Sequence, residues 1–312
     1  METLELIRDV KMVLDRSGFD ISEIKGDGVP SFDLVSRRDN EILVIKILGT
    51  GSEMTRAWSN EIIALSRVLK ASPFIITPSS RSSVFRDGVL YVKIRVPLMT
   101  FNTFFDHLIE EVPPMIYRGS NGFFVSIDGR AMNRRRSEMG ISLGAMAEML
   151  GVSRKAIQMY EVGMGADIEI ALGIESILNI SLIVPLDPFS YSDELQSIRE
   201  GYDLLDGMKK QVFEHLDSLG MEVVPTQKCP FDALARVKVD LFLTSVNVKG
   251  SNIKKKAGEL SSMSRVTGAD PFLILPDDVK RKRVKGLPVL CLSELKSADH
   301  IEDLITMIRE RL

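Results

Sequence analysis

Arg154, Lys155 and Gln158 are three long hydrogen-bond donors in one short stretch of chain, and each suits an acceptor on a double helix. Arginine and lysine fit the acceptor edge of guanine, glutamine fits adenine, and all three reach phosphate oxygens, which together suits a major groove. Such side chains can read bases only if a rigid element holds them side by side. The flanking residues supply one. Ser142 can cap a helix that runs to Leu150, Gly151 tolerates the left-handed backbone that ends it, and Ser153 caps a second helix. The expected result is helix, tight turn, helix. Ala147 is small where the helices must approach, while Met146, Leu150, Val152 and Ile157 supply apolar contacts across the crossing.

Gly140-Ile141-Ser142, Met146-Ala147, Leu150-Gly151-Val152-Ser153, Ile157 and Tyr160-Glu161-x-Gly163 together resemble the Cro/C1-type (XRE) helix-turn-helix family. The resemblance implies a small five-helix domain whose second and third helices form the reading unit, with Ser153 to Tyr160 as recognition helix. Two positions depart from the family. Leu143 stands where the family has glutamine, and Met164-Gly165-Ala166-Asp167 lacks its usual proline. On this reading Arg154, Lys155 and Gln158 meet base edges, with Ser142, Ser153, Arg134, Arg135 and Arg136 as phosphate contacts. Glu161 is expected to pair with a first-helix arginine such as Arg134 or Arg135, and not to touch DNA. Local charge agrees: Arg130, Arg134, Arg135, Arg136, Arg154 and Lys155 face only Glu138, Glu148 and Glu161 between Arg130 and Glu161. One helix reads only a few base pairs, so a homodimer on palindromic double-stranded DNA is expected.

A second constellation lies nearer the start. Pro30-Ser31-Phe32-Asp33, followed by Val44-Ile45-Lys46, resembles a worn PD-(D/E)xK nuclease motif. That family uses two carboxylates to hold Mg²⁺ and a lysine to orient the attacking water. Asp33 and Lys46 are present. The carboxylate expected two positions before the lysine is Val44, and Glu41 falls on the opposite strand face. Glu53 or Glu61 on the next helix are the acids that could stand in. Toward the other end of the chain Asp232 corresponds to Asp33, but Leu243, Thr244 and Ser245 correspond to Val44, Ile45 and Lys46. A metal clamp half lost in one place and further lost in another describes a fold that outlived its chemistry. No catalytic residue, metal site or cofactor is therefore expected; the alternative is a Mg-dependent DNA endonuclease targeted by the helix-turn-helix.

These correspondences belong to a longer internal repeat. Leu14-Asp15-x-x-Gly18 recurs as Leu216-Asp217-x-x-Gly220, Phe32-Asp33 as Phe231-Asp232, and Phe74-Ile75-Ile76-Thr77-Pro78 as Phe272-Leu273-Ile274-Leu275-Pro276. Gly88 and Gly286 precede the next apolar runs in the same order. Each copy reads helix, strands, helix (53–70 and 253–266), strands, helix. The fold class is therefore α/β (α+β), with a central all-α helix-turn-helix between two duplicated nuclease-like domains: residues 1–115, 122–185 and 193–312. Pro113-Pro114, Gly119 and Gly122, and later Pro185 and Pro188, mark Glu110 to Gly122 and Val184 to Ser192 as linkers. A long helix is expected from Ser192 to Leu219, whose apolar spacing could also make a seam between protomers.

The total of 312 residues accommodates three such domains. A net charge of −3 excludes a chain built wholly to coat nucleic acid, so the basic stretch is a local device. Cys229 and Cys291, with three histidines, have no metal-ligand spacing and fit a reducing cytoplasm. No uncharged apolar run is long enough to span a bilayer, and an effector ligand is left open. Trp58, and Phe101 with Phe104 and Phe105, read as helix packing residues. Lys254-Lys255-Lys256 and Lys280-Arg281-Lys282-Arg283 with Lys285 are basic clusters that could add phosphate contacts.

Overall fold

The computed structural model describes residues 3–24, 30–49, 55–79, 84–190, 207–246, 252–279 and 281–312. The first part contains α1 (Thr3–Arg16), β1 (Asp20–Glu23), β2 (Leu34–Arg38), β3 (Glu41–Ile47), α2 (Arg56–Leu69), β4 (Ser72–Thr77), β5 (Val89–Lys93), β6 (Val96–Thr100) and α3 (Phe101–Ile109). The middle contains β7 (Ile116–Arg118), β8 (Phe123–Ile127), α4 (Gly129–Glu138), α5 (Leu143–Leu150), α6 (Arg154–Glu161), β9 (Ala166–Asp167), α7 (Ile168–Leu178) and β10 (Ile183–Val184). The last part contains α8 (Gly207–Ser218), β11 (Glu222–Pro225), β12 (Ala233–Val237), β13 (Asp240–Val246), α9 (Asn252–Thr267) and β14 (Asp270–Leu275). It closes with β15 (Arg283–Val284), β16 (Leu287–Cys291), α10 (Leu292–Lys296) and α11 (Ile301–Arg309). Of the sequence expectations, the helix from Ser192 and its seam fall mainly outside the described residues, as do Glu53, Lys280 and the Trp58 side chain.

Tertiary contacts divide the chain into two compact units, residues 75–188 and residues 3–74 with 189–312. In the second of these, β1-β2-β3 is an antiparallel meander, and so is β11-β12-β13. Registers match: Leu34 opposes Ile45, and Ala233 opposes Thr244. From β13 the chain crosses through α9 to parallel β14, giving the full order β11-β12-β13-β14-β16-β15. Strand β14, Asp270 to Leu275, is almost wholly buried and reads as the near-continuous apolar run expected of a parallel strand covered on both faces. Phe213, Phe242 and Phe272 are fully buried in this core, each worth roughly 1.5–3 kcal/mol of burial. Helix α9 packs on β1 and β2, while α2 packs on β11 and β12. Equivalent helices of the two copies thus cover each other's meanders.

The unit of residues 75–188 continues the repeat and then leaves it. The end of β4 pairs parallel with β6, and β6 pairs antiparallel with β5, the arrangement of β14, β16 and β15. Beyond that the first of the expected linkers holds a strand, and the second begins on the last residue of one. Strand β7 pairs parallel with β5 (Val89 with Ile116), and Gly119 to Gly122 turns the chain into β8. Strand β10 then pairs antiparallel with β8 through Ile183 and Val184. Gly119 and Gly122 stand at the β7–β8 hairpin turn, Pro113-Pro114 precede β7 and Pro185 follows β10, while the apolar Ile116, Phe123 and Val125 join the sheet. Helices α4 to α7 follow, four where five were implied, because Asn179 ends α7 in the left-handed region (φ 52°) and Leu182-Ile183-Val184 runs into β10.

Candidate nucleic-acid interface

Helices α5 and α6 form as their caps dictate. The Ser142 Oγ accepts from the Ala145 amide at 3.0 Å and the Ser153 Oγ from the Ala156 amide at 3.1 Å. Gly151 takes φ 66° between the helices, where a side chain would be strained. Met146, Ala147 and Ile157 are buried at the crossing, with Leu150 and Val152 packed against them. Tyr160 anchors the end of α6 in the same core. With 3.6 residues per turn, this leaves Arg154, Lys155 and Gln158 on the opposite arc, and all three are exposed. Met159 and Val162 share that arc at 39% and 76% exposure, apolar side chains that a search for polar readers passes over. Residue type alone does not single them out; their exposure does.

The three arginines of α4 have different fates. Arg136 is buried: its Nε donates to Glu161 Oε1 at 2.5 Å, its Nη2 to Oε2 at 3.2 Å, and its Nη1 to the Ile141 carbonyl at 2.8 Å. The partner of Glu161 is therefore Arg136, not Arg134 or Arg135, and that guanidinium is consumed inside the domain. Position decides this, since Arg136 falls on the same face of α4 as buried Met132. Arg135 is half-buried, with its Nε donating to the Leu178 carbonyl at 3.2 Å and its Nη1 3.5 Å from Glu138. Arg134 alone of the three is exposed. Asn133 also donates to Glu161, at 2.5 Å, so this carboxylate ties α4 to α6 through two side chains.

The tie is close-fitting. A Cβ built on Gly129, at the start of α4, would lie 2.4 Å from the Tyr160 carbonyl and 2.6 Å from that of Glu161. Only glycine lets the two backbones approach so far. Asp128 caps α4 by accepting from the Ala131 amide, and Asp167 caps α7 by accepting from Glu169.

The second constellation is an ion pair turned inward. Lys46 is 3% exposed, and its Nζ donates to Asp33 Oδ1 at 3.2 Å and to the Pro30 carbonyl at 2.8 Å. The Ile47 amide donates to Asp33 Oδ2 at 2.6 Å. Burial pushes the Asp33 carboxyl above its ordinary pKa, with Lys46 and the Ile47 amide opposing that rise. Val44, where a second carboxylate would sit, is fully buried. Glu61 turns elsewhere: Oε2 accepts from Ser31 at 2.8 Å, and Oε1 accepts from the Gln227 amide and from Cys229 Sγ at 2.9 Å. The thiol of Cys229 is pushed well above its ordinary pKa by burial and the Glu61 charge, so it stays protonated.

The repeated carboxylate keeps the same backbone bond. Asp232 Oδ2 accepts from Val246 at 2.8 Å, as Asp33 does from Ile47, while Oδ1 takes Lys209 at 2.6 Å. Lys256 supplies the other half of the lost Lys46 role by donating to the Pro230 carbonyl at 2.9 Å. No grouping of three or more His, Cys, Asp or Glu side chains suited to a metal ion occurs among the described residues. Of the other basic residues singled out, Arg283 donates to the Glu310 carbonyl at 3.3 Å.

Comparison with known proteins agrees with both constellations. Residues 3–114 match the PD-(D/E)XK superfamily domain, and residues 132–184 match a helix-turn-helix domain. A protein of Methanocaldococcus jannaschii provisionally named an HTH-type transcriptional regulatory protein is 34% identical over 100% of this chain and 96% of its own length. Provisionally named counterparts from Methanococcoides burtonii and Haloquadratum walsbyi are each 31% identical. They cover 98% and 100% of this chain and 96% and 98% of their own lengths. A solved structure of a protein described as of unknown function covers 56% of the chain at 13% identity with a TM-score of 0.20, too slight a likeness to argue from. With a capped helix-turn-helix, a PD-(D/E)xK-like first copy, and relatives alike over their whole length, the chain belongs to the family of archaeal HTH-type transcriptional regulatory proteins.

Proposed function

We propose that this protein is a sequence-specific DNA-binding transcriptional regulator that reads the major groove with α6 as a homodimer in the cytoplasm. The observation that carries the reading is the exposed arc of Arg154, Lys155 and Gln158 on a helix whose caps and buried Ile157 and Tyr160 fix its orientation. Arg154 and Lys155 supply donors to guanine, and Gln158 to adenine. Met159 adds an apolar surface for a thymine methyl. Ser142, Ser153 and Arg134 serve as phosphate contacts, aided by the positive end of the α6 dipole. Arg135 and Arg136 act inside the domain. Selection of bound duplexes from a random pool tests binding, symmetry and half-site spacing together. A palindrome is expected, and Arg154→Ala with Gln158→Ala should abolish its preference while the fold persists; unchanged preference would refute the assignment.

The match of residues 3–114 to the PD-(D/E)XK superfamily favours a second reading, a Mg-dependent endonuclease targeted by the helix-turn-helix. Two features weigh against it: the apolar Val44 and the closed Lys46–Asp33 pair. Branched and duplex DNA incubated with Mg²⁺, beside an Asp33→Ala control, should remain intact. Cleavage that the substitution abolishes would reverse the order of the two readings.

A further inference from the structure

A cleft of about 480 Å³ opens in the unit of residues 3–74 with 189–312, lined by Lys70, Glu222, Arg236, Lys238 and Val239. Its one carboxylate, Glu222, already pairs with Arg67. Lys70, Arg236 and Lys238 have no acidic partner among the described residues, and the Arg236 Nε–H is buried without an acceptor. An orphaned charged donor is among the costlier defects of a fold, and an incoming anion would relieve it. We propose that this cleft binds a phosphate ester, with the three cations gathered on its phosphoryl group and Val239 against its carbon body.

The repeat supplies an internal comparison. The corresponding positions in the first copy's meander are Gly268 for Lys70, Arg37 for Arg236, Asp39 for Lys238 and Asp20 for Glu222. There Arg37 is satisfied, its Nε donating to the Asp39 carbonyl at 2.8 Å, and its Nη1 lies over Gly268, 3.1 Å from where a Cβ would be. One of two equivalent places thus holds a single arginine with two carboxylates, while the other holds three cations without an acidic partner among the described residues. Lys70 and Lys238 also occupy the left-handed region, at φ 53° and 54°, where glycine or aspartate stands in the other copy. A lysine held where the backbone disfavours it points to its charge as the reason. The end of α2 beside Lys70 opposes an anion with about half a charge, far less than three whole cations offer. A phosphate monoester, carrying roughly −1.5 to −2 and three acceptor oxygens, matches that set better than a carboxylate. The volume falls within the range of about 300–1,000 Å³ usual for small-molecule sites.

This inference holds whether or not α6 reads DNA. Titration calorimetry of the full chain with inorganic phosphate and glycerol 3-phosphate, and glycerol as uncharged control, tests it. Saturable binding of both phosphates and none of glycerol is expected. Lys70→Gln and Lys238→Gln, both at exposed positions, should each weaken it about tenfold, and Arg37→Gln should leave it unchanged. The proposal is overturned if neither phosphate saturates, or if Arg37→Gln weakens binding as much. It is equally overturned if Lys70→Gln and Lys238→Gln weaken binding only of a random-sequence duplex, which would make the cleft a DNA backbone contact.

Discussion

Three arginines separated by single steps along α4 are one basic cluster on paper and three different devices in the fold. Arg136 is spent on Glu161 in a buried pair, Arg135 on a helix-end carbonyl, and Arg134 is free to meet solvent or phosphate. Arg136→Ala would leave the Glu161 carboxylate buried without its main partner, a defect of about 3–5 kcal/mol, seen as a lowered denaturation midpoint. Arg134→Ala should leave that midpoint in place. It should instead weaken binding to all duplexes alike and reduce the salt slope by about one, as loss of one phosphate contact does. A pH effect belongs to this scale too. Hydrogen bonds from Arg311 hold the Glu294 carboxyl at about 2, well below its ordinary value, with the Cys291 amide assisting. Because that folded value is depressed, the pair's stabilisation is complete above the ordinary carboxylate range and is lost as pH falls from about 4.5 toward about 2. Unfolding midpoints measured across that window should fall for the native chain and fall less for Glu294→Gln.

At the scale of elements, the reading unit depends on a contact that no periodicity announces. Gly129 lets the first turn of α4 touch the last turn of α6, and the Arg136–Glu161 pair then locks the angle between them. Gly129→Ala should force the helices apart at a cost of about 1–3 kcal/mol, and affinity for the selected operator should fall with it even though the residue faces no DNA. Unfolding curves read beside binding curves check both. An unaltered midpoint would mean that the backbone relaxes around the methyl. The helix-turn-helix itself was legible because capping serines, a left-handed glycine and a small crossing residue are local requirements. Strands β7 and β10 were not, since their pairing with β5 and β8 joins residues far apart in sequence, and the prolines and glycines beside them resemble those of linkers.

At the scale of the whole chain, the repeat has become a reciprocal arrangement in which α9 covers β1 and β2 while α2 covers β11 and β12. A single copy would expose that surface. Residues 207–312 expressed alone should therefore be degraded by a nonspecific protease much faster than the same segment in the full chain, and equal resistance would show that the second copy folds by itself.

The sequence by itself determined the helix-turn-helix, the duplication and the loss of the second metal carboxylate, because caps, ordered landmarks and residue types are read one position at a time. Tertiary structure decided which arginine is left exposed, that Lys46 closes on Asp33, that the first linker holds a strand, and that Lys70, Arg236 and Lys238 line one cleft. Those outcomes depend on what surrounds each charge once the chain has folded, and a charge is free, paired or buried only in relation to groups that folding brings to it.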